Sequence, residues 1–159
     1  MDEPFIVNVA DARATDHSRT GTVIRFEPEG VRWPDTGVNI QIMGPGQPNC
    51  MYHSEPVQED FLVLEGECIL ILEGKERPLK QWDFVHCPAG AEHVFVGAGD
   101  GPCAVLMIGS RREDLAHYPV NEVAARHGAS VRTATDEPDK AYADWNREPD
   151  RPIPAPWPR

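Results

Sequence analysis

The chain has 159 residues, a formal net charge of −11 and a pI near 4.9, a length that suits one domain with a full buried core. So acidic a surface repels phosphate backbones and anionic lipid, which excludes nucleic acid and membrane as natural partners. No apolar run approaches the ~18 residues of a membrane span, and no basic-then-apolar leader opens the chain, so a soluble, cytoplasmic protein is expected.

In chain order, residues 1–21 read as an N-terminal arm, in which Phe5–Val9 can add a short strand and Ala12–Gly21 is polar and loop-like. Thr22–Phe26 predicts a strand, ended by Glu27-Pro-Glu-Gly30, and Val38–Met43 alternates apolar with polar side chains as a half-buried strand does. After the break at Gly44-Pro-Gly-Gln-Pro48, short strands follow quickly: Phe61–Leu64, Cys68–Leu72, Trp82–Cys87, His93–Val96 and Cys103–Ile108. Cys68–Leu72 is apolar at every position, so both its faces are expected to be covered. Turn signals every 8 to 12 residues with no helix between them predict an antiparallel sandwich or barrel over residues 22–110.

The character changes after Gly109. Pro119–Gly128 fits a short helix, and Thr135 can cap a second one whose stripe Pro138, Ala141, Tyr142 and Trp145 packs on the domain. These make residues 111–147 a helical extension. Residues 148–159 form a Pro-rich tail suited to polyproline II, either disordered or lying along a neighbouring subunit through Ile153 and Trp157. The four cysteines, Cys50, Cys68, Cys87 and Cys103, have no C-x-x-C spacing and read as buried free thiols.

Chemistry concentrates in His53-Ser-Glu-Pro-Val-Gln-Glu59 and in His93, which follows the Pro88-x-Gly90 turn. Side chains two apart on a strand share a face, so His53 and Glu55 point together, and Glu59 joins them if the chain bends at Pro56. Tyr52 then faces the other way, into core or interface. His86 can line the mouth as an acid/base or serve as a structural residue. Trp82 and Asp83 serve the turn, and His17, His117 and His127 read as solvated.

These two segments resemble the motifs of the cupin superfamily, G-x5-H-x-H-x3-4-E-x6-G and G-x5-P-x-G-x2-H-x3-N. Glu59-x6-Gly66 and Pro88-x-Gly90-x2-His93 fit, and His53 takes the first His position. Glu55 stands where the family has its second His. Gly46 is one residue too far from His53, Trp82 replaces the second motif's opening Gly, and Gly97 its closing Asn. The resemblance implies an all-β cupin jelly-roll barrel in which His53, Glu55, Glu59 and His93 bind one divalent ion (Zn, Mn or Fe). With two carboxylates the ligand shell is formally neutral, which makes the ion a weaker Lewis acid than at a three-His site. Glu55 can instead stay outside the shell as a general base. The expected activity is metal-dependent dioxygenase, isomerase or lyase chemistry on a small molecule, with Glu55, Glu59 and His86 as the proton-moving candidates. The alternative is a non-catalytic ligand- or metal-binding module. The family's habit also implies a homodimer, with Phe5–Val9 and the tail as exchange elements.

Overall fold

The structure, a computed structural model, describes residues 3–113, 115–145 and 149–156. It begins with a single 3-10 turn at Val9–Asp11, capped by the Asn8 side chain on Ala10 N. Nine strands then follow: β1 (Arg13–His17), β2 (Gly21–Arg25), β3 (Thr36–Met43), β4 (Glu59–Glu65), β5 (Glu67–Leu72), β6 (Lys75–Lys80), β7 (Phe84–Cys87), β8 (His93–Ala98) and β9 (Cys103–Ser110). The helices α1 (Glu122–Arg126) and α2 (Pro138–Ala141) and a last strand β10 (Arg151–Ile153) complete the chain. All pairings are antiparallel, in a seven-stranded sheet ordered β10-β1-β2-β3-β9-β4-β7 and a three-stranded sheet ordered β6-β5-β8.

The two sheets face each other across a core of Met43, Phe61, Val63, Cys68, Leu70, Val85, Cys87, Phe95, Cys103 and Val105. Each strand contributes alternate residues, so the neighbours of these positions point outward and need their own cover. On the small sheet that cover is the C-terminal extension: Ile71, Val94 and Val96 pack with Tyr52, Ala124 and Ala129. This is why Cys68–Leu72 is apolar throughout. On the large sheet, Ala14, Ile24, Ile40 and Ala104 are buried by the chain's own ends, Val7, Val9, Ile153 and Ala155.

Three expectations about the ends change. Phe5–Val9 is not a strand; Val7 and Val9 instead act as apolar plugs on the large sheet. Arg13–His17 is a strand despite its polarity, because it zips against β2 on one side and β10 on the other. The tail folds back on its own chain rather than extending freely, with Pro152 tolerated on an edge strand that needs no inward N–H. Trp157 lies outside the described residues.

The helices are shorter than the pattern suggests. α1 starts after Asn121 rather than at Pro119, the Asn121 side-chain Oδ1 capping it by accepting from Val123 N and Ala124 N. Thr135 Oγ1 accepts from Glu137 N but is not the cap of α2. Ala141, Tyr142 and Trp145 do pack on the domain, against Met51, Tyr118 and Val131, while Pro138 is exposed.

Two motif positions explain themselves sterically. A Cβ on Gly66, at φ 74°, would lie 2.5 Å from Pro102 O. One on Gly97 would lie 2.1 Å from Gly44 O, so the turn after β3 presses on this backbone and an asparagine has no room there. Trp82 does the reverse: it keeps the left-handed conformation of a glycine, φ 75°, with its ring exposed. That turn is tied by Trp82 N to Val63 O at 2.8 Å and by Lys80 N to Asp83 Oδ2 at 2.9 Å.

Candidate metal centre

His53 and His93 are brought together by backbone. They form an isolated antiparallel bridge, His53 N donating to His93 O at 3.1 Å and His93 N to His53 O at 2.8 Å. The imidazoles therefore lie side by side inside the barrel, ring centroids 4.9 Å apart, both nearly fully buried. The Pro88–Gly90 turn feeds His93 into place, and Gly90 N is bonded to Glu55 O at 2.7 Å, which ties the two motifs to each other.

Each ring is oriented by a carbonyl. His53 Nδ1 is 2.8 Å from Met51 O and His93 Nδ1 is 3.0 Å from Ala91 O. A carbonyl can only accept, so in the neutral ring Nδ1 carries the hydrogen and the Nε2 lone pair is left for a ligand. Both Nε2 atoms face carboxylates: His93 Nε2 is 3.3 Å from Glu59 Oε2, and His53 Nε2 is 3.7 Å from Glu55 Oε1. Glu59 opens β4 on its inward face, opposite Gly109 and Cys87.

His53, Glu59 and His93 offer donor atoms that all lie within 4.8 Å of one another, a set able to hold one metal ion. Two imidazoles with aligned Nε2 atoms and a carboxylate are the donor chemistry of zinc, manganese or ferrous sites. Glu55 shares the cavity but is not part of that compact trio.

The electrostatics fit a place kept for a cation. Burial pushes the Glu59 carboxyl up to about 7, aided by the negative charge of Glu55 and opposed by His53. Burial disfavours charge on His53, but Cys50 beside its Nδ1 and the carboxylates of Glu55 and Glu59 outweigh it and raise its pKa well above the usual histidine value. Burial and the charge at His53 hold His93 down to about 4. Without metal, the surroundings thus favour a proton on His53 and disfavour one on His93.

The trio opens on a cavity of about 210 Å³ whose lining includes Arg32, Asn39, Asn49, Phe61, Met107 and Arg111. Asn49 is fixed by Phe95 N, which donates to its Oδ1 at 2.9 Å. Tyr118 from the C-terminal extension stacks near His53, centroids 5.9 Å apart.

His86 does not reach this cavity. On β7 Val85 and Cys87 point inward, so alternation turns His86 outward, where its Nδ1 meets Asp60 Oδ1 at 2.7 Å. Tyr52 faces away from His53 as expected, buried, with its hydroxyl donating to Glu92 and accepting from Gly74 N. All four cysteines are free; the Cys87 thiol, inward beside Glu59, is pushed up to about 11 by burial and nearby acidic charge. His117 and His127 are not simply solvated: they pair with Asp136 and Glu76. The residues absent from the motif reading are Asn39, Asn49, Arg32 and Arg111. Continuing the inward alternation of β9 through Val105, Met107 and Gly109 reaches Arg111, which is the signal that finds it.

Residues 39–109 match the Cupin_2 family model, described as a cupin domain. No curated protein matches the chain. Among solved structures, the polyketide cyclase RemF from Streptomyces resistomycificus is similar at 18% identity and TM-score 0.61, over 72% of this chain and 84% of that one. A sugar phosphate isomerase of the cupin superfamily from Silicibacter pomeroyi is similar at 28% identity and TM-score 0.52, over 73% and 71%. A predicted oxalate decarboxylase from Thermotoga maritima shares 18% identity with TM-score 0.58, over 67% and 98%. Paired motifs, family match and sheet order agree: residues 39–109 are a domain of the cupin superfamily.

Proposed function

We propose that the chain is a metal-dependent enzyme acting on a small, oxygen-rich organic molecule, with isomerase chemistry ahead of dioxygenase or lyase chemistry. The observation that carries this reading is the inward convergence of His53, Glu59 and His93 at the wall of a cavity of about 210 Å³. The 28% identity to a sugar phosphate isomerase favours proton movement along a carbon chain over oxygen chemistry.

His53, Glu59 and His93 hold the divalent ion, which when bound supplies a Lewis acid for a substrate oxygen. Zinc, manganese and iron all suit the donor set. Glu55, 3.7 Å from His53 Nε2 and 29% exposed, is placed to take and return a proton as general base. Phe61 and Met107 give the cavity its apolar wall, and Asn39 and Asn49 offer amides for substrate hydroxyls.

The test is elemental analysis of protein purified without chelators, followed by turnover on keto–enol probes. One zinc, manganese or iron per chain is expected, lost together with turnover in His53→Ala and His93→Ala. Metal without turnover on any such probe would favour the second reading, a binding module, and no metal at all would end both metal readings.

A further inference from the structure

On the inner face of the large sheet, Gly37, Gly109 and Glu59 stand in one cross-strand row: Gly37 pairs with Gly109, and Gly109 with Glu59. Strand spacing of about 4.8 Å makes that row roughly 10 Å long from Cα to Cα. Gly109 leaves the floor between its ends bare, since a Cβ there would meet nothing closer than Glu59 at 3.8 Å.

At the far end lies a guanidinium. Arg111 folds its side chain over Gly37, where a Cβ would come within 2.6 Å of Nε and 2.8 Å of Nη2. Glu27 fixes it there by engaging the Nη1–Nη2 end of the fork: Nη1 donates to Oε1, and Nη2 to Oε2 at 3.0 Å. Trp33 N also donates to Glu27 at 2.7 Å. The edge of the fork that lies over the glycine floor is therefore the Nε–Nη2 edge, the one suited to two parallel bonds to an oxyanion. Arg32 lines the same space. Glu55 and Glu113 line it too, so attraction for an anion is local to the guanidinium rather than spread over the cavity.

Resting on the metal-site reading above, we propose that the substrate is a small acid lying across Gly109. Its carboxylate or phosphate meets Arg111, and an oxygen at its other end meets the His53, Glu59 and His93 site. Gly37 and Gly109 are then specificity residues, because any side chain there would fill the path or displace the guanidinium. Arg111 is pre-positioned, which reduces the ordering cost of binding.

The experiment is calorimetric titration of zinc-loaded protein with 3-hydroxypropionate, glycerol 3-phosphate and uncharged 1,3-propanediol. At least one of the two anions should bind tighter than the diol, and the tighter one tells carboxylate from phosphate. Arg111→Gln should erase that advantage, roughly ten- to a hundred-fold, with zinc affinity unchanged. Arg111→Lys should restore it only in part, and Gly37→Ala, which keeps the charge but moves the guanidinium, should weaken it. Equal binding of diol and acids, or acid binding indifferent to Arg111→Gln and Gly37→Ala, would overturn the proposal. The same titration on metal-free protein reads the Arg111 contact by itself, so a failure of metal binding and a failure of this inference give different results.

Discussion

Glu59 carries a cost that its function explains. Its carboxyl is pushed up to about 7 against an ordinary 4.5, because burial and Glu55 penalise the charged form. A carboxyl raised on folding binds its proton more tightly in the native state. Stability from this group is therefore greatest below pH 4.5 and is lost as pH rises through 7. A bound cation reverses the sign by favouring the carboxylate. Glu59→Gln should accordingly stabilise the metal-free protein at pH 8, on the order of 1–3 kcal/mol, while abolishing metal uptake. Urea unfolding of both proteins with and without metal checks this, and a destabilised metal-free Glu59→Gln would contradict it. Metal affinity of the native protein should in turn fall as pH drops through 7, because the ion must displace protons from Glu59 and His53.

At the same scale, legibility in the sequence divides by distance along the chain. His53, Glu55 and Glu59 fall within seven residues and share strand parity, and His93 is announced by the Pro88–Gly90 turn. Arg111 carries no motif, and its place over Gly37 depends on β3 lying beside β9, a pairing between residues more than sixty positions apart. His86 is misplaced by the opposite error: nearness to the turn suggests the mouth, whereas its parity with outward Phe84 decides the matter.

Among elements, the strands legible in advance are those with one face in the barrel. Cys68–Leu72 and Val94–Val96 are apolar because each is covered on both sides. β1 is hidden, since of its five residues only Thr15 has a strand preference and its order comes from neighbours, one of them 135 residues away. The β6–β7 connection supplies an element-scale prediction. Trp82 sits at φ 75° where glycine is at ease, so Trp82→Gly should stabilise the protein by about 0.5–1 kcal/mol, the left-handed strain relieved less the glycine's unfolded-state entropy. Gly97→Ala should destabilise strongly, since its Cβ meets the backbone oxygen of Gly44 rather than a side chain that can move. Chemical denaturation midpoints read both, and a neutral Gly97→Ala would refute the close-approach argument.

For the molecule as a whole, the outer surface of the large sheet is only partly covered by the chain's ends. Leu62 and Leu106 remain half-buried there, and Phe84, beside Leu62 on β7, is 64% exposed. We propose that a second copy covers this surface, giving a homodimer. Light scattering on the purified protein should return about twice the 17.7 kDa chain mass, and a charge at Phe84 (Phe84→Asp) should shift it towards one. A monomer at all concentrations would remove the proposal. The described residues contain no helix long and apolar enough to cross a membrane.

The pairing of β10 with β1 also has a topological consequence. Ile153 lies opposite Ala14, so the beginning and the end of the described chain are stitched side by side on one sheet margin. The fold is nearly a ring. A short linker joining the two ends would let the ring be opened elsewhere, for instance in the Gly99–Gly101 turn, with every rung of the barrel and every group around the cation site left in its original order.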